Sequence, residues 1–141
     1  MKTDLGLTKP LASYSHARKA GQTVFLAGQG CRDPETDVWA GVSFDDAGKP
    51  VNIDFEMQVR GVFRNIDAVL TKSGLTRSSI VDVQVFLTDL HSQFAVMNKV
   101  WNDYFRDIRP LPTRTTIGVK DLPGLNLVEM KVTAFSDEPT S

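Results

Sequence analysis

The sequence predicts an α+β domain in which one sheet is covered on one face by two helices. Two long stretches, residues 55–70 and 90–105, repeat apolar side chains at the spacing of an amphipathic helix. Shorter segments before, between and after them carry the alternation or the β-branched runs that are typical of strands. Because no third helix is available for the other face of the sheet, we expect another subunit to cover it.

The length and charge of the chain limit the kinds of protein to which it can belong. Its 141 residues are enough for one domain with its own core, and we assign 1–141 to a single domain with a loose leader at 1–10 and a polar tail at 136–141. A formal net charge of -1 provides no broad basic surface for nucleic acid. No segment reaches the roughly 20 apolar residues of a membrane span, and residues 1–10 lack the apolar run of a signal peptide. With a single cysteine, these features favour a cytoplasmic protein without nucleic-acid or membrane partners.

The first predicted strands lie near the N-terminus. Tyr14, His16 and Arg18 alternate with small residues, so we expect them to share one face of a strand. Residues 19–22 predict a hairpin turn, and the apolar run at 24–27 predicts a buried second strand.

The end of that second strand is rich in glycine. Gly28 and Gly30 leave the backbone accessible, so a ligand can come close to it there. Residues 31–51 then form an irregular region of turn sequences, with a short strand predicted around 38–44.

The first helix has the clearest pattern in the chain. Asn52 or Asp54 can cap its N-terminus, and Gly74 supplies a stop at its C-terminus. Its apolar stripe consists of Phe55, Val59, Val62, Phe63, Ile66, Val69 and Leu70.

A strand and the second helix follow. Alternation over 79–90 predicts a strand with Val81, Val83, Val85 and Leu87 on one face. Asp89 can cap the second helix, which ends at the sequence 109–112 because its two prolines force extended backbone. The apolar stripe of this helix consists of Phe94, Met97, Trp101, Tyr104 and Phe105.

The C-terminal part predicts two short strands around a turn at Pro123-Gly124. The first strand carries Arg114 and the second carries Glu129, each among apolar or β-branched neighbours. A charge at a half-buried strand position is costly unless it is paired or functional. Two interpretations therefore stay open. The residues form a structural salt bridge across neighbouring strands, or they form a small-molecule site in which Arg114 binds a carboxylate and Glu129 handles a water.

The sequence contains no metal-binding or cofactor motif. His16 and His91 are the only histidines, and neither Cys-x-x-Cys nor His-Glu-x-x-His spacing occurs. The segment Gly28-Gln29-Gly30 lacks the third glycine and the following helix of a dinucleotide site. We expect chemistry without a metal or another cofactor.

Several motifs along residues 11–135 resemble one known family. They are Tyr14, the segment 27–29, Gln58 and Asn65, the segment 85–90, Asn98, the segment 112–114 and the segment 128–130. In this order they are similar to the RidA/YjgF family of enamine/imine deaminases. The resemblance implies a chorismate-mutase-like fold and a homotrimer whose sites lie between subunits and bind a small carboxylate substrate.

The resemblance also implies roles for individual residues. Arg114 would bind the substrate carboxylate, Glu129 would orient or activate the hydrolytic water, and Tyr14 would line the cleft. Gly28 and Gln29 would contact the substrate. The chain departs from the family pattern at two positions.

Those two positions carry Ala27 in place of a usual serine and Thr116 in place of a common cysteine. Thr116 can still make polar contacts with a substrate. Asn65 and Asn98 are expected to bond backbone, and Cys31 is expected to be inert because no local base marks it as a nucleophile.

Other details resemble the 2-aminomuconate deaminases. They are the run from Ser15 to Gly21, Arg32 soon after Gly28, a longer loop to Pro50 and the run Arg114-Thr115-Thr116. That substrate is an enamine with two carboxylates, so a second cation would be useful.

The candidates for this second cation are His16, Arg18 and Arg32. Two alternatives remain beside this function. One is a broad-specificity deaminase of 2-imino acids, and the other is a trimer that binds small carboxylates without turnover.

Overall fold

The computed structural model describes residues 7, 10 and 12–137, so most of the predicted leader and tail lies outside the described residues. The elements are β1 (Ala17–Ala20), β2 (Thr23–Leu26), β3 (Val42–Phe44), β4 (Pro50–Ile53), α1 (Phe55–Lys72), a 3-10 turn (Arg77–Ser79), β5 (Ile80–Leu87), α2 (Leu90–Tyr104), β6 (Thr113–Gly118) and β7 (Val128–Phe135). Neither helix in this part of the chain combines the length and the apolar character that crossing a membrane requires.

Five strands form the main sheet in the order β1-β2-β7-β5-β6. All neighbours are antiparallel except β5 and β6, which run parallel because α2 connects them as a crossover. The two helices pack on one face of this mixed sheet, which confirms the predicted α+β class. A separate two-stranded ribbon, β3 with β4, lies beside it.

The core lies between the inner face of the sheet and the helices. β7 alternates strictly, so that every second residue from Val128 to Ala134 is buried against them. The stripe of α1 is buried from Val59 to Leu70, as predicted. Burial of each such side chain contributes about 1.5–3 kcal/mol, more than helix propensity does. Asp54 is the cap of α1, since its side chain accepts a hydrogen bond from the Met57 amide at 3.1 Å.

Three local predictions were wrong. β1 begins only at Ala17, so Tyr14 and His16 precede the strand and do not share its face with Arg18. In β5 a register shift between Ile80 and Asp82 places Ile80 in the core and leaves Val81 46% exposed.

In α2, Phe94 is also exposed, although the sequence placed it in the apolar stripe. The irregular region contains a second strand, β4, that the sequence analysis missed. β4 is almost wholly exposed, so it carries no alternating pattern. The turn before it was predicted, and Asp45 stabilises it by accepting from the Ala47 and Lys49 amides.

The C-terminal strands do not form a hairpin. β6 and β7 were predicted as partners around Pro123-Gly124, but β5 lies between them in the sheet. The turn itself is present, with Gly124 at a φ of 65°. Arg114 is in register with Val83 of β5, whereas Glu129 is in register with Phe86 at a different level of that strand.

Candidate active site

Glu129 lies on the face of the sheet away from the helices. It alternates with Val128 and Met130, which are buried in the core, so its own side chain points to the uncovered face. Partial burial raises the pKa of Glu129 above its usual value of 4.5. Within residues 12–137 no ion pair to this carboxylate is present. A desolvated carboxylate of this kind is a candidate acid–base group.

The backbone of Gly28 packs directly against Glu129. A Cβ atom at Gly28 would lie 2.5 Å from Oε2 of Glu129, so a side chain does not fit there without a shift. The neighbouring Gln29 fixes this contact, because its amide and carbonyl exchange hydrogen bonds with Met130 at 2.8 and 3.0 Å. The Gly28 backbone, where the sequence predicted that a ligand can come close, therefore lies against the carboxylate of Glu129.

Two clefts meet at this carboxylate, and both are lined by Tyr14, Gly28, Pro123 and Glu129. The inner cleft has a volume of about 80 Å³, and the outer cleft one of about 730 Å³. The inner cleft is further lined by Pro10, His16, Gln29, Gly30, Arg32, Trp39, Asn65 and Asn126. The outer cleft is further lined by Ser15, Arg18, Phe25, Ala27 and Lys131.

The structure thus gathers most of the predicted site residues around Glu129. Tyr14 and His16 from the segment before β1 and Arg32 from the loop after β2 converge on the inner cleft. Arg18 reaches only the outer cleft. Gln29 is buried, and its side-chain amide donates to the Ala27 carbonyl at 3.0 Å, so it shapes the loop as well as lining the cleft.

Arg114 lies elsewhere, on the helix side of β6. Its Nε donates to Oγ1 of Thr116 at 2.8 Å, and its Nη2 donates to Oδ1 of Asn98 at 2.7 Å. The guanidinium lies 4.9 Å from the ring centre of Trp101 and 5.6 Å from that of Phe94. Partial burial lowers the pKa of Arg114, but a guanidinium remains charged throughout the ordinary pH range.

Of the two asparagines that were expected to bond backbone, one does so and the other does not. Asn98 does not bond backbone here; it orients the guanidinium, and the exposed ring of Phe94 lies beside that group. Asn65 does bond backbone as predicted, donating to the Gly30 and Arg32 carbonyls, each at 2.9 Å. Thr116 supports Arg114 through its hydroxyl oxygen.

Arg114 and Glu129 are not a salt bridge within one chain. Arg114 shares a row with Val83 and Val132, both buried against the helices, whereas Glu129 shares a row with Phe86 and Ile117 on the other face. The interpretation as a structural pair across neighbouring strands was therefore wrong. No described acidic side chain forms an ion pair with Arg114 either.

Buried amides hold the walls of the clefts. Gln58 of α1 donates through Nε2 to the Leu125 carbonyl at 2.9 Å and accepts from the Leu127 amide at 2.8 Å. Asn126 accepts from the Cys31 amide at 2.9 Å and donates to the Pro123 carbonyl at 2.8 Å. These bonds connect the loop before β7 to α1 and to the loop after β2.

Some of the residues that line the clefts were not predicted from the sequence as site residues. Trp39, Pro123 and Asn126 carry no motif of their own, and only the fold brings them to the cleft. Cys31 is buried, and burial raises the pKa of its thiol to about 11, which agrees with an inert residue. Among the residues that the structure describes, no cluster of three or more His, Cys, Asp or Glu side chains is arranged to hold a metal ion.

Comparison with known proteins gives a consistent match over nearly the whole chain. The family model described as Endoribonuclease L-PSP matches residues 6–136. A RutC family protein of Aquifex aeolicus is 37% identical over 125 residues, which cover 89% of this chain and 90% of that protein.

Two further matches carry functional or structural descriptions. A 2-iminobutanoate/2-iminopropanoate deaminase of Dermatophagoides farinae is 31% identical, with 87% of this chain and 85% of that protein covered. The crystal structure of Escherichia coli TdcF with bound serine superposes with a TM-score of 0.80 at 25% identity, covering 97% of this chain and 98% of that one.

Proposed function

The chain belongs to the Endoribonuclease L-PSP family, which includes the RidA, YjgF and RutC proteins, and on that premise we propose that it is a hydrolytic deaminase of enamine or imine carboxylates. The observation that carries the proposal is Glu129, a desolvated carboxylate at the point where two clefts meet. Burial raises its pKa, so this carboxylate holds a proton more readily than an ordinary glutamate, which suits a general acid–base group.

Two copies of the chain would build each site. Arg114 and Glu129 project from opposite faces of the sheet, so a substrate that contacts both must lie between subunits. In this arrangement the edge strand β6 of one copy packs near the uncovered face of the next. Such a head-to-tail contact forms a closed ring when its rotation is one third of a turn, which is the geometry of the expected homotrimer.

The uncovered face has the composition of an interface. Phe25, Ile117 and Phe135 lie on it and are 44%, 43% and 44% exposed in the single chain. Exposed apolar side chains grouped on one sheet face are typical of a surface that another subunit covers. Phe86, half-buried between them, belongs to the same surface.

Arg114 would bind the α-carboxylate of the substrate. The described residues supply acceptors for its Nε and Nη2 but none for its Nη1. Nη1 together with the remaining hydrogen of Nη2 can form a bidentate pair with a carboxylate. Asn98, Thr116 and Trp101 hold the guanidinium in place for this contact.

Glu129 would then assist hydrolysis. An enamine first takes a proton at carbon and becomes the imine, whose protonated form is a strong electrophile. Water adds to the imine carbon while the carboxylate of Glu129 accepts one of its protons. That proton passes to the nitrogen of the carbinolamine and the carbon–nitrogen bond breaks, so that ammonia leaves. The carbinolamine hydroxyl loses its proton to Glu129, which returns it to solvent, and the second product is the keto acid. A single acid–base group contributes about 10²–10⁴-fold to such a step.

Two substrates fit this chemistry. We favour 2-aminomuconate, because three basic side chains, those of His16, Arg18 and Arg32, line the two clefts around Glu129. The second candidate is a 2-imino monocarboxylate, which the description of the Dermatophagoides farinae relative supports. The reaction is the same in both cases, and they differ in the group at the distal end of the substrate.

The test measures ammonia and keto-acid release from both substrates with the purified protein. Arg114→Ala should lower kcat/KM by about 10- to 100-fold, the effect of losing a charge-assisted hydrogen bond, while the assembly stays intact. Arg106→Ala is the matched control, since Arg106 pairs with Asp103 on the surface. Full ammonia release by Arg114→Ala would refute the proposal. Carboxylate binding without turnover by the unmodified protein would favour a binding trimer.

A further inference from the structure

The inner cleft beside Glu129 forms a compartment lined by cationic side chains. Arg32 lines it, and the Arg32 side chain is only 15% exposed. Its backbone is fixed from α1, because its carbonyl accepts from Nδ2 of Asn65 at 2.9 Å and from Nη2 of Arg64 at 3.3 Å. An antiparallel bridge to Trp39 fixes the other side of the backbone. The backbone that carries this side chain is thus fixed before any ligand arrives.

The side chains around this compartment carry charges of both signs, and these differ in their exposure to solvent. Arg32 and His16 bring a permanent cation and an imidazole to its lining, which Glu129 shares. Asp37 is 3.7 Å from Nη1 of Arg32, but this carboxylate is 44% exposed, so solvent screens the pair. The Arg32 side chain is mostly buried and lines the cleft, so an anionic group that enters the cleft lies close to its positive charge.

The size of the compartment limits what it can hold. Pockets that enclose whole small-molecule ligands have volumes of about 300–1,000 Å³, and the inner cleft has only about 80 Å³. It therefore fits an end group, while the remainder of the ligand occupies the outer cleft of about 730 Å³. Glu129 lines both clefts, so the reacting carbon lies between the two ends of the ligand.

We infer that this compartment binds a second carboxylate at the distal end of the substrate, with Arg32 as its charge partner and His16 as a second donor. The inference rests on the proposed function for the position of the reacting carbon. It narrows the three candidate cations to two, because Arg18 lies on the exposed strand β1 and lines the outer cleft alone. The substrate class is an unsaturated amino dicarboxylate.

Binding of unreactive probes tests this inference without requiring turnover. Adipate and hexanoate have the same chain length but two and one carboxylates, and calorimetry gives the Kd of each. The unmodified protein should bind adipate at least about tenfold more tightly, and Arg32→Gln should abolish this preference without weakening hexanoate binding. Arg32→Lys, which keeps the charge, should restore part of the preference. Arg106→Gln is the matched surface control and should retain it in full.

Turnover then separates the two proposals. The ratio of kcat/KM for 2-aminomuconate to that for 2-iminopropanoate should fall about tenfold or more in Arg32→Gln, while 2-iminopropanoate turnover persists. Equal adipate and hexanoate affinities in the unmodified protein would overturn the inference. A selective loss caused by Arg18→Gln and not by Arg32→Gln would also overturn it, by placing the subsite in the outer cleft. No turnover of either substrate, with the adipate preference intact, would refute the deaminase but not the subsite.

Discussion

Arg114 and Glu129 project from opposite faces of one sheet, on strands that β5 separates. Among the described residues of the same chain, neither side chain has an ion-pair partner. Asn98 and Thr116 orient the guanidinium, and the Gly28 backbone packs on the carboxylate. This relationship leads to a direct test of the two-copy site.

Mixing two impaired variants should restore part of the activity. Arg114→Ala and Glu129→Gln each remove one half of every site when expressed alone. Co-expressed in equal amounts, they should yield about one quarter of the unmodified activity, because a site works only when its Arg114 and its Glu129 both come from unaltered positions.

The control mixes each variant with itself under the same conditions. It should show no recovery, because every site then lacks the same group. If the mixed sample is no more active than the separate variants, Arg114 and Glu129 do not work in one shared site.

The pH dependence of turnover should report Glu129. Its pKa is raised by burial, so the carboxylate forms only at higher pH than an ordinary glutamate, and the acid limb of kcat/KM should have its midpoint above pH 4.5. Glu129→Gln should be poorly active and should lack this limb. An acid limb that survives in Glu129→Gln would assign the titration to another group.

The same shift predicts a change in stability with a defined sign. A carboxyl whose folded pKa is raised favours folding in its protonated form, so this contribution is present below about pH 4.5 and is lost as the pH rises through the folded value. Glu129→Gln should therefore have a higher Tm than the unmodified protein at pH 7–8. The difference should shrink in acid, and thermal scans at several pH values measure it. A constant difference at all pH values would contradict the assignment.

Asn98→Ala should weaken substrate binding without disturbing the fold. It removes the acceptor of the 2.7 Å bond from Arg114, so the guanidinium loses its orientation. We expect KM to rise about tenfold, with a smaller change in kcat. Asn102→Ala on the same helix is the matched control, because Asn102 is exposed. Equal kinetics for the two variants would show that Asn98 does not position Arg114.

Gln58→Met should destabilise the protein. It leaves the Leu125 carbonyl and the Leu127 amide without the partner that α1 provides, at a cost of about 1–3 kcal/mol for each buried group. Lys72→Met introduces the same side chain at an exposed position of α1 and should change Tm little. A Tm for Gln58→Met equal to that of Lys72→Met would mean that the loop does not depend on this amide.

The sequence was sufficient for the helices and for the fold class. The apolar residues of α1 recur at helical spacing and therefore fall on one buried face. Asp54 and Gly74 mark the two ends of the helix. The strand pairing was harder to predict, because neighbours in sequence usually pair, and the turn at Pro123-Gly124 suggested that β6 and β7 do so. The crossover through α2 instead places β6 beside β5.

The site was predicted as a set of residues and not as an arrangement. Arg114, Glu129, Tyr14 and Gly28 could be named because strand patterns and a family resemblance pointed to them. Their distribution between two faces could not be predicted, because it depends on the strand order. The inner cleft was also beyond prediction, since Trp39 and Asn126 reach it through loops without any periodic signal.

Several bonds that hold the walls of the clefts are made by groups that do not take up or release protons. Gln58, Asn65 and Asn126 make their bonds through carboxamides, and the Cys31 thiol beside Asn126 ionises only near pH 11. These bonds should therefore persist while Glu129 titrates in the clefts. A change of activity with pH should consequently reflect the ionisation of groups in the site, and not the breaking of these carboxamide bonds.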